Sequence, residues 1–179
     1  GMSLKGVFEA KKIKQTFSLL RSNDMIWSFV VNNYLMGREP FPFDLLYWND
    51  DSTNMPAAMH SYYLEKMYRD NLLVQPGGVT MNGKAIDLSK IKTPCYFLST
   101  REDHIAPWKA TFYGQSFISG PSTFVLAASG HVAGVINPPQ KNKYCYWTSD
   151  KNDPDPDRWM ASTKEHKGSW WPHWQKWAE

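Results

Sequence analysis

Apolar positions recur along this chain with two different periods, and the change from one to the other divides it. Phe8, Ile13, Phe17 and Leu20 fall at helical spacing among lysines, which predicts a first helix over 8–20. The "RSND" that follows offers capping side chains, and Met25-Ile26-Trp27 through Leu35 reads as a second helix with Gly37 at its C′ position. Pro40 and Pro42 break the pattern, so "GREPFPFDLLYWNDDSTNMP" reads as an irregular connector. A third helix is expected from Pro56, as N1 residue behind Asn54, to about Leu73. Its residues Met59, Tyr62, Tyr63, Met67 and Tyr68 crowd a broad apolar face.

The period shortens after the "PGG" turn at 76–78. "VTMNGKAIDL" alternates around Asn82-Gly83, the signal of a tight hairpin. "PCYFLST" (94–100) and "STFVLAAS" (122–129) are short continuous apolar runs, as strands buried on both faces show. Between them "PWKATFYGQSFIS" predicts a helix over 107–119, with Pro107 at N1 and Gly120 as its stop. Strand, helix and strand in so short a span make a βαβ unit, so the fold class is α/β. Beyond Gly130-His131 the periodicity fades through "NPPQKNKYCYWTSDKNDPDPD". A short helix is expected at Arg158–Ser162, and a final one in "SWWPHWQKWAE" with Trp170, Trp174 and Trp177 on one side.

Composition narrows the classes. Hydrophobic residues at 42% against 21% charged describe a globular domain with a core. The net charge of +3 is scattered, with small clusters at Lys11, Lys12, Lys14 and at Lys141, Lys143, so no nucleic-acid partner is expected. No apolar run approaches the ~18 residues of a membrane span, and the opening residues show no signal-peptide pattern, so neither is expected. Cys95 and Cys145 lack metal-ligand spacing, and a reduced, cytoplasmic protein is the simpler reading, although a disulfide between them stays open. The opening Gly1-Met2 reads as the remnant of a cleaved tag on an excised fragment.

Candidate chemistry gathers at the two strand ends. Parallel strands deliver functional residues at their carboxyl edge. Asp103 lies just past the first buried strand and His131 just past the second, 28 positions later. Adjacent parallel strands lie ~4.8 Å apart, so the two loops could bring carboxylate and imidazole together. Acid before histidine is the order of α/β-hydrolases, in which the carboxylate orients the imidazole and the imidazole deprotonates a nucleophile. The competing reading makes Asp103 only a cap for the turn before Pro107. His104 is a candidate supporting residue beside the pair or a solvated one. His60, His166 and His173 are read as surface or packing residues, and neither a metal nor a cofactor is expected. A nucleophile elbow of the G-x-S-x-G type, or its cysteine form, has no match. Cys95 within a strand and Cys145 in an aromatic stretch are both read as structural. On the triad reading, the sequence offers two members without the third.

At "REDHIAPW", "SGHVAGVINPP", "FPFDLLYWNDDSTNMP" and "GSWWPHWQKW" the sequence resembles the carboxyl-terminal part of poly(3-hydroxyalkanoate) synthases, from about Phe17 onward. "GHVAGVINPP" and "GSWWPHW" resemble the class I enzymes, which favour short-chain substrates. The resemblance implies an α/β-hydrolase-like core and an acyltransferase that polymerises (R)-3-hydroxyacyl-CoA into polyester, releasing CoA through a Cys–His–Asp triad. Asp103 and His131 match the family's acid and histidine, while its G-x-C-x-G elbow lies upstream of the part matched. The isolated chain is therefore expected to be inactive. Residues 1–21 would form an N-terminal helix, 22–78 a mainly helical cap segment over the active site that also takes part in dimer contact, and 79–179 the C-terminal part of the core with its Trp-rich helix. The implied partners are acyl-CoA, the growing polyester, a second copy in a homodimer and the polymer granule surface. The alternatives are a truncated lipase or depolymerase of the same fold, and a non-catalytic granule-binding module carried by the Trp-rich tail. An exposed strand edge would also favour self-association.

Overall fold

The computed structural model describes residues 6–20, 22–40, 51, 53–151 and 153–179, so most of the expected connector lies outside the described residues. The chain forms two compact units, Gly1–Leu72 and Leu73–Glu179. In the first, a two-residue strand β1 (Val7–Phe8) pairs antiparallel with β2 (Met55–Pro56). Helix α1 covers Ala10–Leu20, two residues later than the apolar spacing suggested, because Phe8 is taken up by the β1 ladder. Ser22 is itself helical, with φ −57° and ψ −34°, and makes no capping bond through its side chain. Wide helical turns follow over Asn23–Trp27 and Val30–Leu35, and Gly37 comes just after them with φ 63°, as a C′ residue should. Helix α2 (Ala57–Tyr62) runs on as wide turns through Tyr63–Arg69. Pro56 is its N-cap rather than N1, since its ψ of 135° still belongs to the extended β2.

The second unit carries the sheet. Its hairpin pairs β3 (Thr80–Met81) with β4 (Lys84–Ala85). Asn82 (φ 50°) and Gly83 (φ 74°) both take the left-handed conformation that a two-residue hairpin turn requires. A four-stranded sheet follows in the order β5-β6-β7-β8. Strands β5 (Cys95–Thr100) and β6 (Ser122–Ala127) run parallel in a six-residue register from Cys95↔Ser122 to Thr100↔Ala127. Between them lie helix α3 (Trp108–Phe112) and a tighter 3-10 segment, Tyr113–Phe117. Pro107 again caps rather than starts the helix, its ψ of 129° keeping it extended.

Two strands of this sheet were not expected. Strand β7 (Cys145–Thr148) runs antiparallel to β6, and β8 (Lys164–Lys167) antiparallel to β7. Helix α4 (Pro156–Ala161) lies between them, two residues earlier than expected. Asp155 sets its start: its Oδ1 accepts from the amides of Asp157 (3.0 Å) and Arg158 (2.9 Å). Pro156 at N1 lacks only an amide that had no intrahelical partner anyway. Helix α5 (Trp171–Ala178) closes the chain.

Aromatic packing between β6, α3 and α4 makes the core: Phe112, Phe124, Leu126, Trp147 and Trp159 are buried together. The Phe112 and Phe124 rings meet edge to face at 4.8 Å, and Phe124 and Trp159 at 5.1 Å. By contrast, the first unit exposes much of its apolar surface, Tyr34 at 84% and Tyr68 at 81%. Among the described residues no helix is long and apolar enough to cross a membrane.

Candidate functional site

The carboxyl ends of β5 and β6 are laced together before either candidate side chain is reached. Arg101 N–H donates to the Ala127 carbonyl (2.8 Å) and Glu102 N–H to that of Ser129 (3.0 Å). Ser129 holds φ at 72°, a conformation that L-residues with a side chain rarely adopt, and it ends β6 two residues sooner than the apolar run suggested. From there the chain curls into a tight turn, with Gly134 N–H donating to the Gly130 carbonyl (2.8 Å) and Ile136 N–H to that of Val132 (2.9 Å). Gly134 is buried against the strand end. A Cβ there would stand 2.4 Å from the Ala128 carbonyl oxygen and 2.7 Å from the Thr100 methyl, so only glycine fits.

Asp103 and His131 emerge side by side from these two loops. Asp103 Oδ1 lies 3.8 Å from His131 Nδ1. That is longer than a hydrogen bond, and the reason is local. The same Oδ1 accepts from the amides of Ile105 (2.8 Å) and Ala106 (3.0 Å), which draw it toward the turn before Pro107. Asp103 is thus a cap and a neighbour of the imidazole at once. Its side chain is 14% exposed and that of His131 is 40% exposed, so one is held and the other reaches solvent. The His104 ring packs edge-on to His131, with centroids 5.3 Å apart.

The Trp-rich tail reaches this site, which the sequence reading missed. The indole N–H of Trp170 is shared between the carbonyls of Gly134 (3.1 Å) and Val135 (3.2 Å), and that of Trp171 donates to Val135 (2.9 Å). Both bonds hold the turn that follows His131. Nothing in the spacing of "SWWPHW" points to these acceptors, because backbone carbonyls leave no mark on a sequence.

The remaining candidates stand elsewhere. Cys95 opens β5, and the six-residue strand places it roughly 17 Å from the edge where Asp103 stands. Cys145 packs on the aromatic core, and burial pushes its thiol pKa up, which disfavours the thiolate needed for attack. Both are free thiols. His173 Nδ1 meets the Tyr96 hydroxyl at 2.9 Å, and burial lowers the pKa of its imidazole. His166 Nε2 bonds the Thr148 hydroxyl (2.8 Å) while its ring stacks on Tyr146. His60 lies on α2 in the first unit, half-buried. A cavity of about 530 Å³ opens where β6 and β7 splay, lined by Ser122, Phe124, Thr148 and His173 among others. It borders the amino end of β6, away from His131.

No family model matches the chain. The sequence is 51% identical over 178 residues to the poly(3-hydroxyalkanoate) polymerase subunit PhaC of Rhizobium meliloti (strain 1021), covering 99% of this chain and 29% of that protein. It is 48% identical over 166 residues to the subunit of the same name from Cupriavidus necator, covering 93% of this chain and 28% of that one. With the poly(3-hydroxyalkanoate) polymerase of Methylorubrum extorquens it shares 47% identity over 179 residues, 99% of this chain and 29% of the relative. The chain thus spans less than a third of the length of these relatives.

Proposed function

Because this chain belongs to the poly(3-hydroxyalkanoate) polymerase family, we propose that it supplies the acid and the histidine of a Cys–His–Asp triad. The observation carrying this reading is the Asp103–His131 contact at the carboxyl edge of two parallel strands. The cysteine would come from the remainder of the polymerase polypeptide. Its nucleophile elbow, on an α/β-hydrolase sheet continued beyond β5, the outer strand among the described residues, would bring the thiol to His131.

His131 turns Nδ1 toward Asp103, which leaves Nε2 on the far side of the ring as the working nitrogen. Nε2 would take the thiol proton, and the thiolate would attack the thioester carbonyl of a (R)-3-hydroxyacyl-CoA. The C–S bond to CoA breaks, and the proton on Nε2 leaves with the CoA thiolate as free CoA. The 3-hydroxyl of an acyl unit then attacks the enzyme-bound thioester, with His131 taking its proton; one ester bond of the polymer forms as the C–S bond to the cysteine breaks, and Nε2 returns the proton to the cysteine thiolate. Asp103 holds a negative charge beside the imidazolium at each transfer. Residues 22–78 would form the cap and a homodimer contact, with the enzyme working in the cytoplasm at the granule surface. The class I motifs favour short-chain acyl units.

Thiol-detected CoA release from (R)-3-hydroxybutyryl-CoA tests this reading. The chain alone should release none, and the enclosing polypeptide should turn over. Turnover by the chain alone that disappears in Cys95→Ala or Cys145→Ala would place the nucleophile inside it and overturn the proposal.

A further inference from the structure

Asp103, His104 and His131 each offer one ligand atom, and the three atoms lie within 4.8 Å of one another. We propose that they form a binding site for a borderline-soft divalent cation of the zinc type. Two imidazoles and a carboxylate with an open fourth position suit such an ion chemically. Tetrahedral bonds of ~2.0–2.1 Å hold donor atoms ~3.4 Å apart, so the widest pair of donors must close by up to roughly 1.4 Å. The exposed parts of the site can supply that movement. His104 and His131 are both exposed, and ring rotation moves their nitrogens without moving backbone. The fixed part is the carboxylate. Asp103 Oδ1 is held by the Ile105 and Ala106 amides, which orient it as hydrogen-bonded partners orient a metal-ligating carboxylate. The backbone is fixed as well, since the Arg101–Ala127 and Glu102–Ser129 bonds tie the two loops together.

The ion would occupy a nitrogen lone pair of His131 or hold its ring aside. On the triad reading, which this consequence alone rests on, zinc would inhibit the polymerase by taking its base. Binding itself depends only on the three side chains. Hard cations that prefer oxygen cages, such as magnesium, should not compete.

Titration calorimetry of this chain with zinc chloride, in a Cys95→Ser/Cys145→Ser background that removes the thiols as ligands, tests the site. One equivalent should bind, and His104→Ala and Asp103→Asn should each weaken it by at least about tenfold. A hundredfold excess of magnesium chloride should leave it unchanged. In the unmodified chain, the NMR ring signals of His104 and His131 should shift together at one equivalent, which keeps the test decisive if the serine variant is poorly folded. Absence of one-equivalent binding, or an affinity that survives both substitutions, would overturn the proposal. Either outcome leaves the CoA-release test of the triad unaffected.

Discussion

Trp171 donates its indole N–H to the carbonyl of Val135, 36 positions earlier in the chain and just past His131. With the shared bond from Trp170, this makes the tail a brace for the histidine turn. Trp171→Phe keeps most of the ring and removes the donor. The expected cost is about 1 kcal/mol, because Trp170 still serves the Val135 carbonyl. Urea unfolding would measure it. Faster amide exchange at Gly134 and Ile136 would locate the loss in the turn.

Two glycines in that turn should behave differently. Gly134→Ala drives a methyl onto the Ala128 carbonyl at 2.4 Å, whereas the nearest atom to a Cβ at Gly130 is 4.0 Å away. The first should cost about 1–3 kcal/mol and displace His131. Gly130→Ala should be nearly neutral. Thermal unfolding of the two variants side by side would check the contrast.

Capping of α4 is a separate and additive contribution. Asp155→Ala leaves the amides of Asp157 and Arg158 without their acceptor and should destabilise by about 1 kcal/mol. Asp155→Ser should recover most of it in the same unfolding assay.

Stability should fall on the acid side of neutrality through His173. Burial lowers its pKa in the folded state, followed by repulsion from His166 and Lys176. Below about pH 6.5 the unfolded chain therefore takes up a proton that the folded chain resists. The stability difference is fully present above that pH and is lost as the pH falls through the depressed folded value. His173→Gln should flatten the decline in denaturant midpoint below about pH 6.5. An unchanged slope would assign the decline to other groups.

Much of the second unit was legible because its elements carry local signals. Cys95–Thr100 and Ser122–Ala127 are apolar runs of strand length with a proline-led helix between them, and Asn82-Gly83 admits few turns. The spacing of Asp103 and His131 followed from that unit alone. Strands β7 and β8 were not legible. "CYWT" is four residues long beside prolines and lysines, and "KEHK" has no apolar residue at all. Their pairing is dictated by β6 and the packing of Trp147, which is tertiary information. From the sequence Asp103 reads either as a cap or as a triad acid. In the structure one oxygen serves the turn and faces the imidazole.

The most direct test of the Asp103–His131 pair is CoA release by the enclosing polymerase carrying His131→Gln or Asp103→Asn, with protein folding verified by circular dichroism. On the proposed triad, His131→Gln should lower turnover by roughly 10³-fold or more, because it removes the proton acceptor for the thiol. Asp103→Asn should also lower turnover severely, with substrate binding little changed. Turnover within a few-fold of the parent in the His131→Gln enzyme would contradict it.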